Sequence, residues 1–534
     1  MTIEQPADRT VDRRAFLARA AALAAVTTAG AVALPAIAKA TGRHQPDLDT
    51  ANAFVKPRPE ALADPTELTL AEAAWLIREG KLRPEDLLEA YLARIAAFDS
   101  TYQAFNLVLT DQARQAARRR PGRGALQGIP LAIKDNYYTE DVRTTANSYL
   151  FQDFIPPFDA TAVARLKAAG AIVLGKTQMG PLATTRATTP DGVVTTVNAW
   201  TPTDPRTDPG GSSTGTATAV AGRMVTAGTG TQTGGSITAP SNAQNLTGLK
   251  PTMGRVSLHG IIPLSYTRDH PGTLARDAKD AAIMLTAMAG EDPDDPRTQG
   301  LPDVPNLIDA ATPVYLRGKL KLRWNTRIGV TPGFATGMSA TALARQAYLA
   351  KLADIPGATL VEVPLPDEWD LLTGNTFNNV RLPERSEPFM PYLRDNLRGF
   401  GVSLTAWLQG ALFGGNEFLT GQRAKLLLLE RVLEQTFDLC DVVVQTQPVG
   451  FDILGLPEIA FPIGFSAAGV PIGTILGGLP YGEDRLLSIA AAYQAVTDWH
   501  HRRPADPPAA SAGARAAEPA RARLTADEVA LLTQ

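Results

Sequence analysis

The chain has 534 residues, 44% of them hydrophobic and 20% charged, with 51 lysines and arginines against 54 acids and a net charge of −3. This composition is globular and supplies a large core, for one large α/β domain or for several smaller ones; it lacks the basic excess of a nucleic-acid binder. The single cysteine, Cys440, excludes an intramolecular disulfide, and His44, His259, His270, His500 and His501 show no metal-ligand spacing, so no metal or cofactor is expected.

At the N-terminus, Arg13-Arg14 precede Phe16-Leu17 and an Ala-rich run that extends to about Leu34. Two small-x-small patterns follow, Ala36-Ile37-Ala38 and Ala38-Lys39-Ala40. Residues 1–40 resemble a twin-arginine export signal, which predicts a periplasmic or extracellular protein. Alanine is weakly apolar, and Thr27, Thr28 and Gly30 interrupt the run, so a permanent membrane anchor is not expected. Residues 41–63, rich in Pro, Asp, Lys and Arg, read as a linker.

Leu68, Leu70, Ala71, Ala74, Trp75 and Ile77 sit at helical spacing and predict a helix over Thr66–Glu79, stopped by Gly80. A second helix is predicted after Pro84, on Leu87, Leu88, Tyr91, Leu92 and Ile95, and a polar one over Gln112–Arg119. The apolar run Ile129–Ile133 reads as a buried strand, Ala160–Ala169 as a helix and Ala171–Gly175 as the next strand. Helices alternating with short apolar strands indicate α/β architecture. Between residues 300 and 440 the clearest feature is a helical stretch, Ala424–Thr436. Cys440 leads into Val442-Val443-Val444 and reads as a small buried hydrophobe. Beyond residue 502 the chain is rich in Ala, Pro and Arg and predicts a disordered tail, 503–534.

Three segments carry candidate chemistry. Lys134 closes an apolar strand in Gly128-Ile129-Pro130-Leu131-Ala132-Ile133-Lys134-Asp135. Its charge is costly to bury, so it is either paired, with Asp135 the nearest acid, or kept neutral. Pro209-Gly210-Gly211-Ser212-Ser213-Thr214-Gly215 runs into Thr216–Ala221, where a helix start would present free N–H groups. It lacks the Gly-Lys-Ser/Thr of a phosphate loop. In Thr233-Gly234-Gly235-Ser236, two glycines before a serine let backbone N–H groups gather around one point, as an oxyanion hole requires. Each segment alone has an ordinary structural reading.

Together, their order and spacing resemble the amidase signature family over roughly residues 65–500. Ala169–Thr177, Gly248-Leu249-Lys250-Pro251-Thr252, Gly254–Ser257, Gly455–Gly464 and Gly469–Gly473 extend the likeness. The resemblance implies an amidase signature domain over 64–502, α/β, with a large twisted mixed β-sheet core flanked by helices on both faces. It implies a serine amidohydrolase that cleaves a carboxylic amide C–N bond through an acyl-enzyme. Ser236 is the implied nucleophile, Ser212 (in a cis peptide, with Ser213 the alternative) the proton bridge, and Lys134 the general base. The N–H groups of Thr233, Gly234, Gly235 and Ser236 are the implied oxyanion hole.

The expected partner is a small-molecule amide, without nucleic acid, and the protein is expected as a monomer or homodimer. An amidotransferase A-subunit-like protein, an esterase or carbamate hydrolase, and a binding protein on the same scaffold are the alternatives. Two positions depart from the family: Gln232 stands where an acid is usual and Thr238 where an arginine is usual, which predicts a less charged neighbourhood for the nucleophile than relatives have. Trp369, Phe377, Phe389, Tyr392, Trp407 and Phe413 are candidates for a pocket wall or for core.

Overall fold

A computed structural model describes residues 47–119, 122–375 and 379–508. The export signal of 1–40 and the tail beyond residue 508 lie outside the described residues.

Thirteen strands are present among these residues: β1 (Phe105–Val108), β2 (Pro130–Lys134), β3 (Ile172–Thr177), β4 (Ala227–Gln232), β5 (Thr247–Lys250), β6 (His270–Ala275), β7 (Val314–Leu316), β8 (Lys319–Lys321), β9 (Thr326–Val330), β10 (Ala358–Glu362), β11 (Val442–Gln445), β12 (Glu458–Phe465) and β13 (Pro471–Gly478). Eleven form one mixed sheet in the order β1-β3-β2-β4-β6-β5-β12-β13-β11-β9-β10, and β7 and β8 make a separate hairpin. β2 runs parallel to both β3 and β4, while β4, β6, β5 and β12 pair antiparallel. The central strands β2, β4, β5 and β6 are buried along their whole length. Strands covered on both faces read as continuous apolar or small-residue runs, which is why Pro130–Ile133 was legible as one. Helices flank this sheet and close a core containing Leu131, Ile133, Leu249, Leu274, Val444, Ile459 and Leu476.

Local signals place most of the predicted helices. The second begins with Pro84 in its first turn and runs Pro84–Tyr102. The Gln112–Arg119 expectation is met by Thr110–Ala117, and Ala160–Ala169 by Thr161–Ala168. The first helix starts later than expected, at Leu70. Thr69 caps it by accepting from Glu72 N, and the Glu72 carboxylate accepts from Thr69 N, while Thr66 sits in a separate 3₁₀ turn capped by Asp64. The Ala424–Thr436 helix is the end of a longer one, Gly415–Arg431, followed by a π turn, Val432–Thr436.

Both ends of the domain differ from their sequence reading. Within the expected linker, residues 51–53 and 59–62 form 3₁₀ turns, and Ala53 and Ala61 are buried. Residues 503–508 of the expected tail dock on the body: Asp506 pairs with Arg94 and Arg223, and the Arg503 guanidinium lies 3.5 Å from Glu67. Among the described residues no helix is long and apolar enough to cross a membrane.

Candidate active site

Lys134 ends β2 with its side chain fully buried. Its Nζ donates to Ser212 Oγ at 2.8 Å, Thr231 Oγ1 at 2.8 Å, Ser213 Oγ at 3.0 Å and the Thr231 carbonyl at 3.3 Å. These partners are neutral oxygens. Asp135 is not the partner: its carboxylate accepts from Asn106, Thr145 N and Thr145 Oγ1, and its other oxygen lies 3.4 Å from Lys176. Burial pulls the Lys134 ammonium down to about 7, against a smaller opposing pull from Asp269. An amine so placed can take a proton at neutral pH.

Ser212 is delivered by a tightly enclosed loop. Gly210 has φ +75°, and a Cβ there would lie 2.4 Å from the Pro240 Cα; one on Gly211 would lie 2.6 Å from the Arg186 Cα. The Gly211–Ser212 peptide bond is cis. The chain then turns into the helix Thr214–Ala221 directly after Ser213, as the small-residue run predicted. Both serines of the pair reach Lys134, so hydrogen bonding alone does not separate Ser212 from Ser213.

Ser236 lies on the loop after β4 and is 7% exposed. Among the described residues its Oγ makes no hydrogen bond; Lys134 and Ser212 are joined to each other but not to it. Gln232, at the end of β4, holds the loop. Its Oε1 accepts from Ile237 N at 2.8 Å and Thr238 N at 2.9 Å. Its Nε2 donates to Asp452 at 2.8 Å and Glu458 at 2.9 Å. Asp452 also accepts from Gly235 N at 2.9 Å. This corrects the expected oxyanion hole, because the Gly235 N–H is already committed to a carboxylate. The N–H groups of Thr233, Gly234 and Ser236 have no acceptor among the described residues, and Gly234 is exposed. The Thr233 hydroxyl donates to Asp269.

A buried charged cluster adjoins the nucleophile loop. Lys250 Nζ lies 3.2 Å from both Asp452 and Glu458, and all three side chains are fully buried. Glu458 sits opposite Lys250 in the β12–β5 register. Burial pushes Glu458 up to about 8, with Lys250 opposing and Asp452 adding to the rise. Lys250 and Glu458 had a visible signal, since each is a charged residue inside an apolar strand motif. Asp269 and Asp452 had none, because only the fold brings them to the loop.

Phe389 and Trp407 pack with Phe400 in a second apolar cluster, and Tyr392 touches its edge. Phe377 lies outside the described residues. A cavity of about 620 Å³, lined by Tyr149, Asp191, Asn396 and Arg398 among others, contains none of Lys134, Ser212 or Ser236.

Comparison with known proteins agrees with this architecture. Residues 86–385 match the Amidase family model. The chain is 32% identical over 491 residues to the glutamyl-tRNA(Gln) amidotransferase A-subunit of Pseudomonas savastanoi pv. phaseolicola, covering 82% of this chain and 99% of that protein. The native peptide amidase of Stenotrophomonas maltophilia superposes with a TM-score of 0.71 at 28% identity, covering 84% of this chain and 99% of that one. An amidase family protein from Bacillus anthracis gives 0.69 at 28% identity, covering 82% and 92%. On its sequence match, its length coverage and its fold, the chain belongs to the Amidase family.

Proposed function

We propose that the protein hydrolyses a carboxylic amide through an acyl-enzyme on Ser236. The observation that carries this reading is Lys134, a buried amine without an acidic partner, held near neutrality and hydrogen-bonded to Ser212. A serine hydroxyl becomes a competent nucleophile when a base takes its proton. Ser236 Oγ attacks the amide carbonyl, its proton passes to Ser212, and the Ser212 proton passes to Lys134. The resulting ammonium returns a proton through Ser212 to the departing amine as the C–N bond breaks. Water then repeats the sequence on the ester, releasing the acid. The reading requires a Ser236–Ser212 hydrogen bond to form when substrate is bound, as catalytic contacts in empty sites commonly do. Three N–H groups, those of Thr233, Gly234 and Ser236, are available to the oxyanion. No cofactor and no nucleic acid enters this scheme, and the substrate is a small molecule.

The relatives named as glutamyl-tRNA(Gln) amidotransferase A-subunits support a second reading, in which the chain is one component of an amidotransferase. Turnover of simple amides by the purified chain alone favours the hydrolase. The Arg13-Arg14 pair motivates a further proposal, export to the periplasm or exterior. Replacing both with lysine is expected to keep the protein in the cytoplasm on fractionation. Labelling with a fluorophosphonate probe tests the chemistry. Wild type is expected to gain one adduct on Ser236, and Ser236→Ala none; equal labelling of both removes the hydrolase reading.

A further inference from the structure

Beside the nucleophile loop lies a group of cations that the reaction scheme does not use. Arg268, 4% exposed, precedes Asp269, which accepts from the Thr233 hydroxyl. It is also within electrostatic reach of Asp452, which accepts from Gly235 N. Arg381 and Arg385 stand one turn apart on the helix Arg381–Ser386, and Arg385 is 3% exposed with its guanidinium over the Trp407 ring. Lys425 completes the group, donating to the Thr267 carbonyl.

The two carboxylates within the group are occupied elsewhere. Glu384 accepts from Ser265 Oγ, Thr267 N and Thr267 Oγ1, and Asp269 accepts from Leu264 N and Ser265 N besides Thr233. Arg268 Nε and Nη2, and Arg385 Nε and Nη1, are buried without a hydrogen-bond partner among the described residues. Arginine does not shed its proton in proteins, so these guanidinium groups keep both charge and unmet donors. Burial first, and then repulsion from Arg268, pulls Arg381 down to about 9 and Arg385 to about 10. Asp452, the third acid within reach of Arg268, is shared with Lys250, so the four cations face carboxylates that are all engaged and the group is short of negative charge until an anion binds.

We propose that Arg268, Arg381 and Arg385 bind a carboxylate carried by the substrate, so that the amide cleaved at Ser236 is an anionic one. This inference rests on the hydrolase reading above and specifies its substrate class. A guanidinium offers paired donors that fit a carboxylate and are strongest out of water.

Matched substrates test it. Succinanilic acid is compared with the anilide in which isopropyl replaces the carboxylate, and para-acetamidobenzoate with para-isopropylacetanilide, so that the anion sits on the acyl side in one pair and on the amine side in the other. In at least one pair the anionic member is expected to have the higher kcat/KM, by about 100-fold. In Arg268→Met and Arg385→Met that ratio is expected to fall toward one, with KM for the anionic member rising. Succinate at constant ionic strength is expected to raise the melting temperature of wild type and not of Arg268→Met. Equal or inverted ratios in both pairs, in a protein that still takes the fluorophosphonate on Ser236, overturn the anion site and leave the hydrolase standing. Absence of labelling removes the hydrolase reading instead, and the succinate shift then decides the anion site without turnover; no shift in wild type overturns it.

Discussion

At Lys134, burial and charge act against each other. Enclosure disfavours the ammonium, Asp269 favours it, and enclosure wins, leaving the amine at about 7. If Lys134 is the base, only its neutral form works. Below about pH 7 the protonated fraction grows, so kcat/KM is expected to fall tenfold per pH unit on the acid side and to level off above. Lys134→Met is expected to lose about 10²–10⁴-fold in kcat, the usual contribution of a positioned base, and the pH step with it. Gln232 is the second residue where charge decides. Its amide is suited to its place because it accepts two backbone N–H groups on one side and donates to two carboxylates on the other. A carboxylate there would keep the first role and turn the second into repulsion. Gln232→Glu is therefore expected to lower unfolding stability by about 3–5 kcal/mol, the range for an uncompensated buried charge, measured by denaturant titration. Adding Thr238→Arg to Gln232→Glu is expected to recover part of that loss, because it brings a cation to the same cluster. If Gln232→Glu is neutral, Glu458 holds its proton firmly enough to remove the conflict.

Among the elements, β2, the 209–213 loop and the turn after β4 do most to assemble the site, and they differ in how far the sequence disclosed them. β2 was legible because its apolar run ends abruptly in a lysine, and the loop because glycines precede a serine pair and a helix of small residues. Which acid pairs with which lysine was not legible. Asp135 adjoins Lys134 in sequence but turns toward Lys176, and the acids that fix the Ser236 loop arrive from residues 269, 452 and 458. Periodicity reports which face of a strand is buried; it does not report which strand lies alongside. The 209–213 loop also yields a prediction of its own. A methyl group on Gly211 would meet the Arg186 Cα and the Thr185 carbonyl, each at 2.6 Å, and neither backbone can yield without moving its segment. Gly211→Ala is expected to displace Ser212 and cost at least about 10²-fold in kcat, as a misplacement of about 1 Å does elsewhere. Near-wild-type kcat in a folded Gly211→Ala protein would show that the loop tolerates the shift.

For the molecule as a whole, the two ends of the described chain are joined to the body by charge rather than by apolar packing alone. Arg223 pairs with both Glu67 and Asp506, Arg94 pairs with Asp506, and the Arg503 guanidinium lies 3.5 Å from Glu67, so residues near position 67 and near position 506 share one ion-pair network. Composition concealed this. An Ala-, Pro- and Arg-rich stretch reads as unstructured because it lacks apolar area, yet Asp506 needs only two arginines already fixed on the body. Networks hold better than isolated surface pairs, and the two arginines here are largely shielded from water, at 12% and 13% exposure. Ending the chain after Arg502 takes Asp506 from both arginines, leaving Arg223 with Glu67 and Arg94 with the Gly222 carbonyl, and is expected to lower stability by about 1–2 kcal/mol relative to a chain ending after Pro508, an amount within reach of differential scanning calorimetry. Asp506→Asn in the full chain isolates the charge from the lost contacts. It is expected to reproduce most of that loss at low salt and less of it at 1 M salt, where the screening length falls to about 3 Å. Identical stability of the two truncated chains would assign residues 503–508 no share in holding the domain together.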